Sequence, residues 1–151
     1  MAIYLRTDTP VAPGTASLTT ATGNSGTTSK TLTAYYLRKT IDINAELFII
    51  GTNISLTKRS LVAAVVFALV TDNSNAGHRL YIGGTPVQEV TGASQTWLVD
   101  LEGYRVLRPG SYTVEYRVYN YSSTTTISLD YNTGVSNYPA VKMVVYVVPL
   151  E

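Results

Sequence analysis

The clearest signal along the chain is alternation. From Ser111 to Tyr119, Tyr112, Val114, Tyr116 and Val118 occupy every second position, with Thr113, Glu115 and Arg117 between them. Successive side chains of a strand point to opposite faces, so this segment reads as a strand with one buried and one wet face. Arg108-Pro109-Gly110 is the turn that launches it. Thr125–Tyr131 repeats the pattern, with Ile127 and Leu129 inward and Thr126, Ser128 and Asp130 outward. The two segments are expected to form a hairpin across Asn120–Thr124, closed at the far end by Asn132-Thr133-Gly134.

Two other segments are apolar without alternation. Leu61–Val70 is ten unbroken apolar residues bounded by Lys58-Arg59 and Asp72-Asn73. A short buried helix would fit that length, but its Val content favours a central strand covered on both faces. Val141–Val148 is apolar on both faces apart from Lys142, so it should sit centrally or be covered by another subunit. Ile41 and Ile43, then Leu47 and Ile49, step by two and predict a strand interrupted near Ala45, followed by a turn at Gly51-Thr52-Asn53. Residues 71–78 read as a loop. Arg79–Ile82 starts another strand ending at Gly83-Gly84, and Gln95–Leu101 is a strand with Trp97 and Val99 on one face, Leu98 and Asp100 on the other. No window sustains a helical period. Strands at this spacing, punctuated by Gly, Pro and Asn, predict an all-β fold, a sandwich or barrel, with a jelly-roll-like antiparallel β-sandwich as first choice.

Ahead of these strands lies a different composition. Thr7–Thr31 holds nine Thr and three Ser in twenty-five residues, with only Val11 and Leu18 large and apolar. Such a stretch cannot bury enough surface to fold by itself. The chain is therefore divided into an extended Thr/Gly-rich N-terminal arm, 1–31, and a β-sandwich domain, 32–151. The arm is either loose or ordered by lying across a neighbouring subunit.

Composition narrows the role. Only 14% of residues are charged against 45% hydrophobic, and the net charge is +1, which excludes an electrostatic grip on nucleic acid as the main activity. No apolar run is long enough for a membrane-spanning helix. With no Cys, thiol nucleophiles and zinc–thiolate sites are excluded. His78, the one histidine, lies between Gly77 and Arg79 and is expected to be an exposed loop residue. Acid–base candidates are Asp100 with Glu102, Glu115 and Asp130, each equally readable as a solvent-facing strand residue. Asp72–Gly77 matches the first half of a calcium loop, but the twelfth place is Gly83 rather than a chelating Glu. The expectation is a protein that is not an enzyme and needs no cofactor or metal. The sequons at Asn53 and Asn120 read as chance matches, because the start, Met1–Pro10, has no basic stretch leading into an apolar one and no secretory signal is expected.

Tyrosine is the unusual residue, with twelve copies. Tyr35, Tyr36, Tyr104, Tyr119, Tyr121, Tyr131 and Tyr138, with Trp97, fall at expected strand ends or outer faces. Tyr combines flat apolar area with a hydroxyl and suits protein contacts and sugar stacking alike.

The stretch Leu107–Gly134, LRPGSYTVEYRVYNYSSTTTISLDYNTG, resembles a hairpin common in jelly-roll modules. Its Gly110-x-Tyr112-x-Val114 and Arg117-x-x-Asn120 are similar to positions in carbohydrate-binding modules, and the Gly-x-Tyr strand to tumour-necrosis-factor-like domains. With its Thr-rich arm and low-charge β body, the whole chain resembles structural proteins of tailed phages or archaeal viruses, namely capsid decoration (cement) proteins and fibre tips. That resemblance implies a non-enzymatic virion protein, made in the host cytoplasm, that self-associates as a trimer and contacts the major capsid protein. It implies no nucleic acid and no membrane partner. Two other roles stay open: a receptor- or glycan-binding fibre or adhesin domain using Trp97 and the Tyr set, and a filament or pilus subunit whose arm donates a strand to the next copy.

Overall fold

The Gly83-Gly84 pair organises the chain around it. A computed structural model describes residues 14–19, 28–34, 36–71, 76–91, 96–121, 125–130 and 141–150. Both glycines have positive φ, +62° and +79°, as a two-residue hairpin turn matched to the twist of its strands requires. This turn joins β6 (Ala76–Ile82) to β7 (Thr85–Thr91), which pair antiparallel. Moving outward from it, β5 (Ser60–Thr71) pairs with β8 (Thr96–Leu107), and β4 (Glu46–Leu56) with β9 (Gly110–Asn120). Beyond these, β3 (Tyr36–Ile41) pairs with β10 (Thr125–Asp130), and β2 (Thr28–Ala34) with β11 (Val141–Pro149). Every pair is antiparallel, so β2 to β11 form one nested ribbon in which each strand finds its counterpart across the central turn.

Further pairings fold the ribbon into two sheets. β6 also pairs with β9, giving a five-stranded sheet in the order β1-β4-β9-β6-β7, where β1 (Gly14–Thr19) runs parallel to β4. On its edge away from β8, β5 pairs with β11 over most of its length and with β10 at its end, giving the six-stranded second sheet. The all-β expectation holds, and the architecture is sandwich-like. Apolar faces of both sheets merge into one buried cluster that includes Ile50, Ile54, Leu80 and Tyr116 from the first sheet and Val62, Val66, Leu101 and Met143 from the second. Burying each such side chain contributes about 1.5–3 kcal/mol. Among the described residues, parts of the Thr-rich segment are strands: β1 lies on the edge of the first sheet, and β2 runs through the 31/32 junction.

The alternation read in β9 is borne out: Val114, Tyr116 and Val118 are fully buried, while Glu115 and Arg117 face outward. So is the interruption near Ala45, where Asn44 takes φ +60°. Asn120 clamps that turn, its amide nitrogen donating to Ile41 O at 2.9 Å and its backbone bonding Asn44 and Ala45. A bulge between Phe48 and Ile50 adds a residue to β4, so the consecutive Ile49 and Ile50 are both buried.

Four expectations are corrected. Residues 51–53 are not a turn; they lie inside β4, and Gly51 is required by packing rather than by φ, because a Cβ there would sit 2.7 Å from Val114 O. The strands at 111–119 and 125–131 are not a hairpin: β9 belongs to the first sheet and β10 to the second, since the ribbon crosses between layers there. His78 is not in a loop. It shares an inward face of β6 with Ala76, Leu80 and Ile82, is fully buried, and hydrogen-bonds Tyr116 Oη through Nδ1 at 2.6 Å. Finally, β5 is central but covered on one face only: Val62 to Val70 alternate as buried residues, whereas Phe67 on the other face is 43% exposed. Of the expected 71–78 loop, Thr71 ends β5 and Ala76 and Gly77 begin β6 ahead of His78, while residues 72–75 of the calcium-like stretch, like the turn at 132–134, lie outside the described residues.

Gly51→Ala should lower the unfolding free energy by about 1–3 kcal/mol, because the new methyl meets backbone that cannot step aside. Denaturant unfolding monitored at Trp97 checks this; a variant as stable as the parent would contradict the close approach of β4 and β9.

Candidate interaction surfaces

The two sheets present opposite kinds of outer face. On the first, the β6–β9 register sets Arg79 directly across from Arg117, which is unfavourable unless acids intervene. Glu46 of β4, Glu89 of β7 and Glu115 of β9 supply them. Glu46 Oε2 accepts from Arg79 Nη1 at 3.1 Å and from Tyr81 Oη at 2.6 Å, while its Oε1 lies 3.9 Å from Arg117 Nη1. Arg79 Nε donates to Glu89, and Arg117 Nη2 donates to Glu115 at 2.9 Å. The Arg79 guanidinium stacks over the Tyr119 ring at 4.5 Å and donates to Tyr121 Oη at 2.7 Å, and that hydroxyl also donates to Glu89. Arg117 lies over Phe48.

Partial burial works against the charged form of Arg79, but hydrogen bonds to Glu89, Tyr121 and Tyr81 together outweigh it and raise its pKa. Burial likewise opposes ionisation of Glu89, yet the bonds from Arg79 and Tyr121 prevail and hold it below the ordinary carboxylate range. Tyr81 is pushed up by burial and by its bond to Glu46. A carboxylate held ionised in this way suits ion pairing more than proton donation. The cluster ties β4, β6, β7 and β9 together across the sheet.

The outer face of the second sheet is largely apolar, with three charges among its apolar residues. In β8 the residues Leu98, Asp100, Glu102, Tyr104 and Val106 all point outward and are exposed, Tyr104 most of all at 68%. Registers on both sides of β5 align them into rows. Phe67 lies between Asp100 and Lys142, Val65 between Glu102 and Val144, Ala63 between Tyr104 and Tyr146, and Leu61 between Val106 and Val148. Of the exposed large hydrophobics, Phe67, Leu98, Tyr104, Val106 and Tyr146 gather on this one face. Three strands by four rows make a face on the order of 400 Å² in projection, from strand spacings of about 4.8 Å and rows about 7 Å apart. Patches of that size on soluble chains commonly mark interaction sites.

Of the aromatic residues expected on such a platform, Tyr104 is on this face, whereas Tyr119 and Tyr121 belong to the ionic cluster on the opposite side. Tyr36 and Trp97 are placed in β3 and β8 by their backbone, and Tyr35, Tyr131 and Tyr138 lie outside the described residues. The acid candidates are also separated: Asp100 and Glu102 face out from the second sheet and Glu115 from the first. Sequence reading missed Phe67 and Tyr146, because both sit in strands apolar on two faces. It also passed over Arg79 and the glutamates around it, whose partners come from four different strands.

Glu89 stabilises the fold as an anion. That stability is present above its unfolded pKa and is lost as pH falls below about 4.5 through the lowered folded value. Glu89→Gln should therefore cost about 1 kcal/mol or less near pH 7, the pair being solvent-screened, with the cost shrinking in acid. Thermal unfolding of both proteins across pH checks this, and a pH-independent difference would contradict the ion pair. A comparison with protein-family models finds no match to this chain, and a search of curated proteins finds no relative.

Proposed function

We propose that this chain is a non-enzymatic structural subunit of a viral particle, a capsid decoration protein that self-associates and seats against the major capsid protein. The single observation that carries the reading is the apolar outer face of β8, β5 and β11, which a chain working alone would leave in water. The fold reading supports it. Numbering β2, β4 to β9 and β11 as strands one to eight, the sheets run 1-8-3-6 and 2-7-4-5, the order of a jelly roll, an architecture that recurs in capsid and lectin domains. In this reading residues 1–31 are an arm anchored where β1 and β2 are held by the chain's own β4 and β11, with the rest of it directed at a neighbouring copy. A threefold assembly on the virion surface is what the resemblance to decoration proteins implies. Size-exclusion chromatography with light scattering should give a mass above that of the 16.4 kDa chain, and Phe67→Glu should return it to one chain without loss of β structure. A parent protein that stays single, alone and beside purified shells, would overturn the proposal.

One observation favours a second reading, a glycan-binding fibre or adhesin domain. Tyr104 and Tyr146 flank the small Ala63, beside an open cleft of about 420 Å³ lined by Gln88, Glu102 and Gly103. Two rings across a methyl floor are suited to stacking on a pyranose. Glycan-array binding that is lost in Tyr104→Ala while self-association persists would support this reading, and an array without hits would remove it.

A further inference from the structure

We infer that the outer face of the second sheet binds the same face of a second copy, across a two-fold axis running along β5. The inference rests on the self-association proposed above and deepens it by naming the surface and the symmetry. A two-fold contact places a patch against itself, so its chemistry must be self-complementary. Each row of this face is centred on β5, with β8 on one side and β11 on the other. Rotation about an axis along β5 lays the β8 of each copy over the β11 of the other. Sheets packed this way keep their strands within about 30° of alignment, at a separation of about 10 Å.

The rows then match by chemistry. Asp100 of each copy lies over Lys142 of the other, with Phe67 meeting Phe67 on the axis between the two ion pairs. Glu102 is one row along, on the same side as Asp100 and within reach of the same flexible ammonium. Tyr104 lies over Tyr146 while Ala63 faces Ala63, so the large rings fill the space that the small residue leaves. Val106 lies over Val148. An axis across the strands would instead set Asp100 of each copy over the apolar end of the other's face, near Val106 or Val148, with no opposite charge to meet it. Charge complementarity therefore selects both the occupant and the axis. Because such a contact closes on two chains, it replaces the threefold assembly that the resemblance implies.

The test is a charge exchange between chains, read by light scattering and sedimentation, with circular dichroism confirming the fold. The parent should have the mass of two chains. Asp100→Lys sets Lys against Lys142 twice, and Lys142→Asp sets Asp against Asp100 twice, so each variant alone should associate about tenfold more weakly or worse. Mixed in equal amounts, the two variants restore both opposite-charge contacts and should recover the two-chain mass. Folded single variants that pair as well as the parent, or a mixture that stays single, would overturn the inference. A parent with the mass of three chains would overturn it while leaving self-association standing, and a parent of one chain would overturn both.

Discussion

The structure depends on β5 being hydrogen-bonded along both edges. A strand this apolar is stable only where its backbone groups are paired and one face is shielded from water. β8 supplies one edge along the full length of β5, and β11 with β10 supplies the other. Those pairings hold because the ribbon is nested about the Gly83-Gly84 turn, where both residues occupy a backbone region that side chains disfavour. In chain order β5 and β8 flank the β6–β7 hairpin, and the remaining pairs lie outward from them to β2 and β11. Most of these contacts join residues far apart in the chain, which makes the topology slow to assemble and strongly cooperative.

Two outer faces built on the same ribbon have opposite solutions to solvent. The first sheet satisfies its charges internally: Arg79 and Arg117, set against each other by the register, are each neutralised by glutamates reaching from neighbouring strands. That face is complete within one chain. On the second sheet, the face formed by β8, β5 and β11 carries Lys142 on one side of β5 and Asp100 and Glu102 on the other, with apolar rows beside them. Among the described residues none of these three charges has an ion-pair partner. The contrast between a self-satisfied face and an unsatisfied one gives the molecule a direction.

Inside, polar residues are tolerated where they are paired. His78 and Tyr116 hold one another across the β6–β9 pair, and Asn120 fastens the turn after β3 to the end of β9. Buried polar groups so partnered are costly to break and confine the core to one arrangement. The lone histidine, adjacent in sequence to Gly77 and Arg79, looks like a loop residue because polar neighbours dominate its window. Its inward position follows from the parity of β6, which becomes visible only with Ala76 as the strand's first residue.

The sequence by itself determined the local choices: strand rather than helix, the inward set of β9, the turn at Gly83-Gly84, and the apolar character of β5 and β11. These follow from side-chain alternation and from the φ angles glycine permits, both properties of short windows. Alternation states which face a residue occupies but not which strand lies beside it, so the separation of β9 from β10 and the placing of Gly51 inside β4 were decided by tertiary pairing. The same holds for function. Phe67, Tyr104 and Tyr146 are far apart in the chain, and only the registers of β5 with β8 and β11 gather them on one face. Likewise, Arg79 meets Glu46 and Glu89 only because four strands converge. The chain encodes the residues of both surfaces, and long-range backbone hydrogen bonding decides which of them become neighbours.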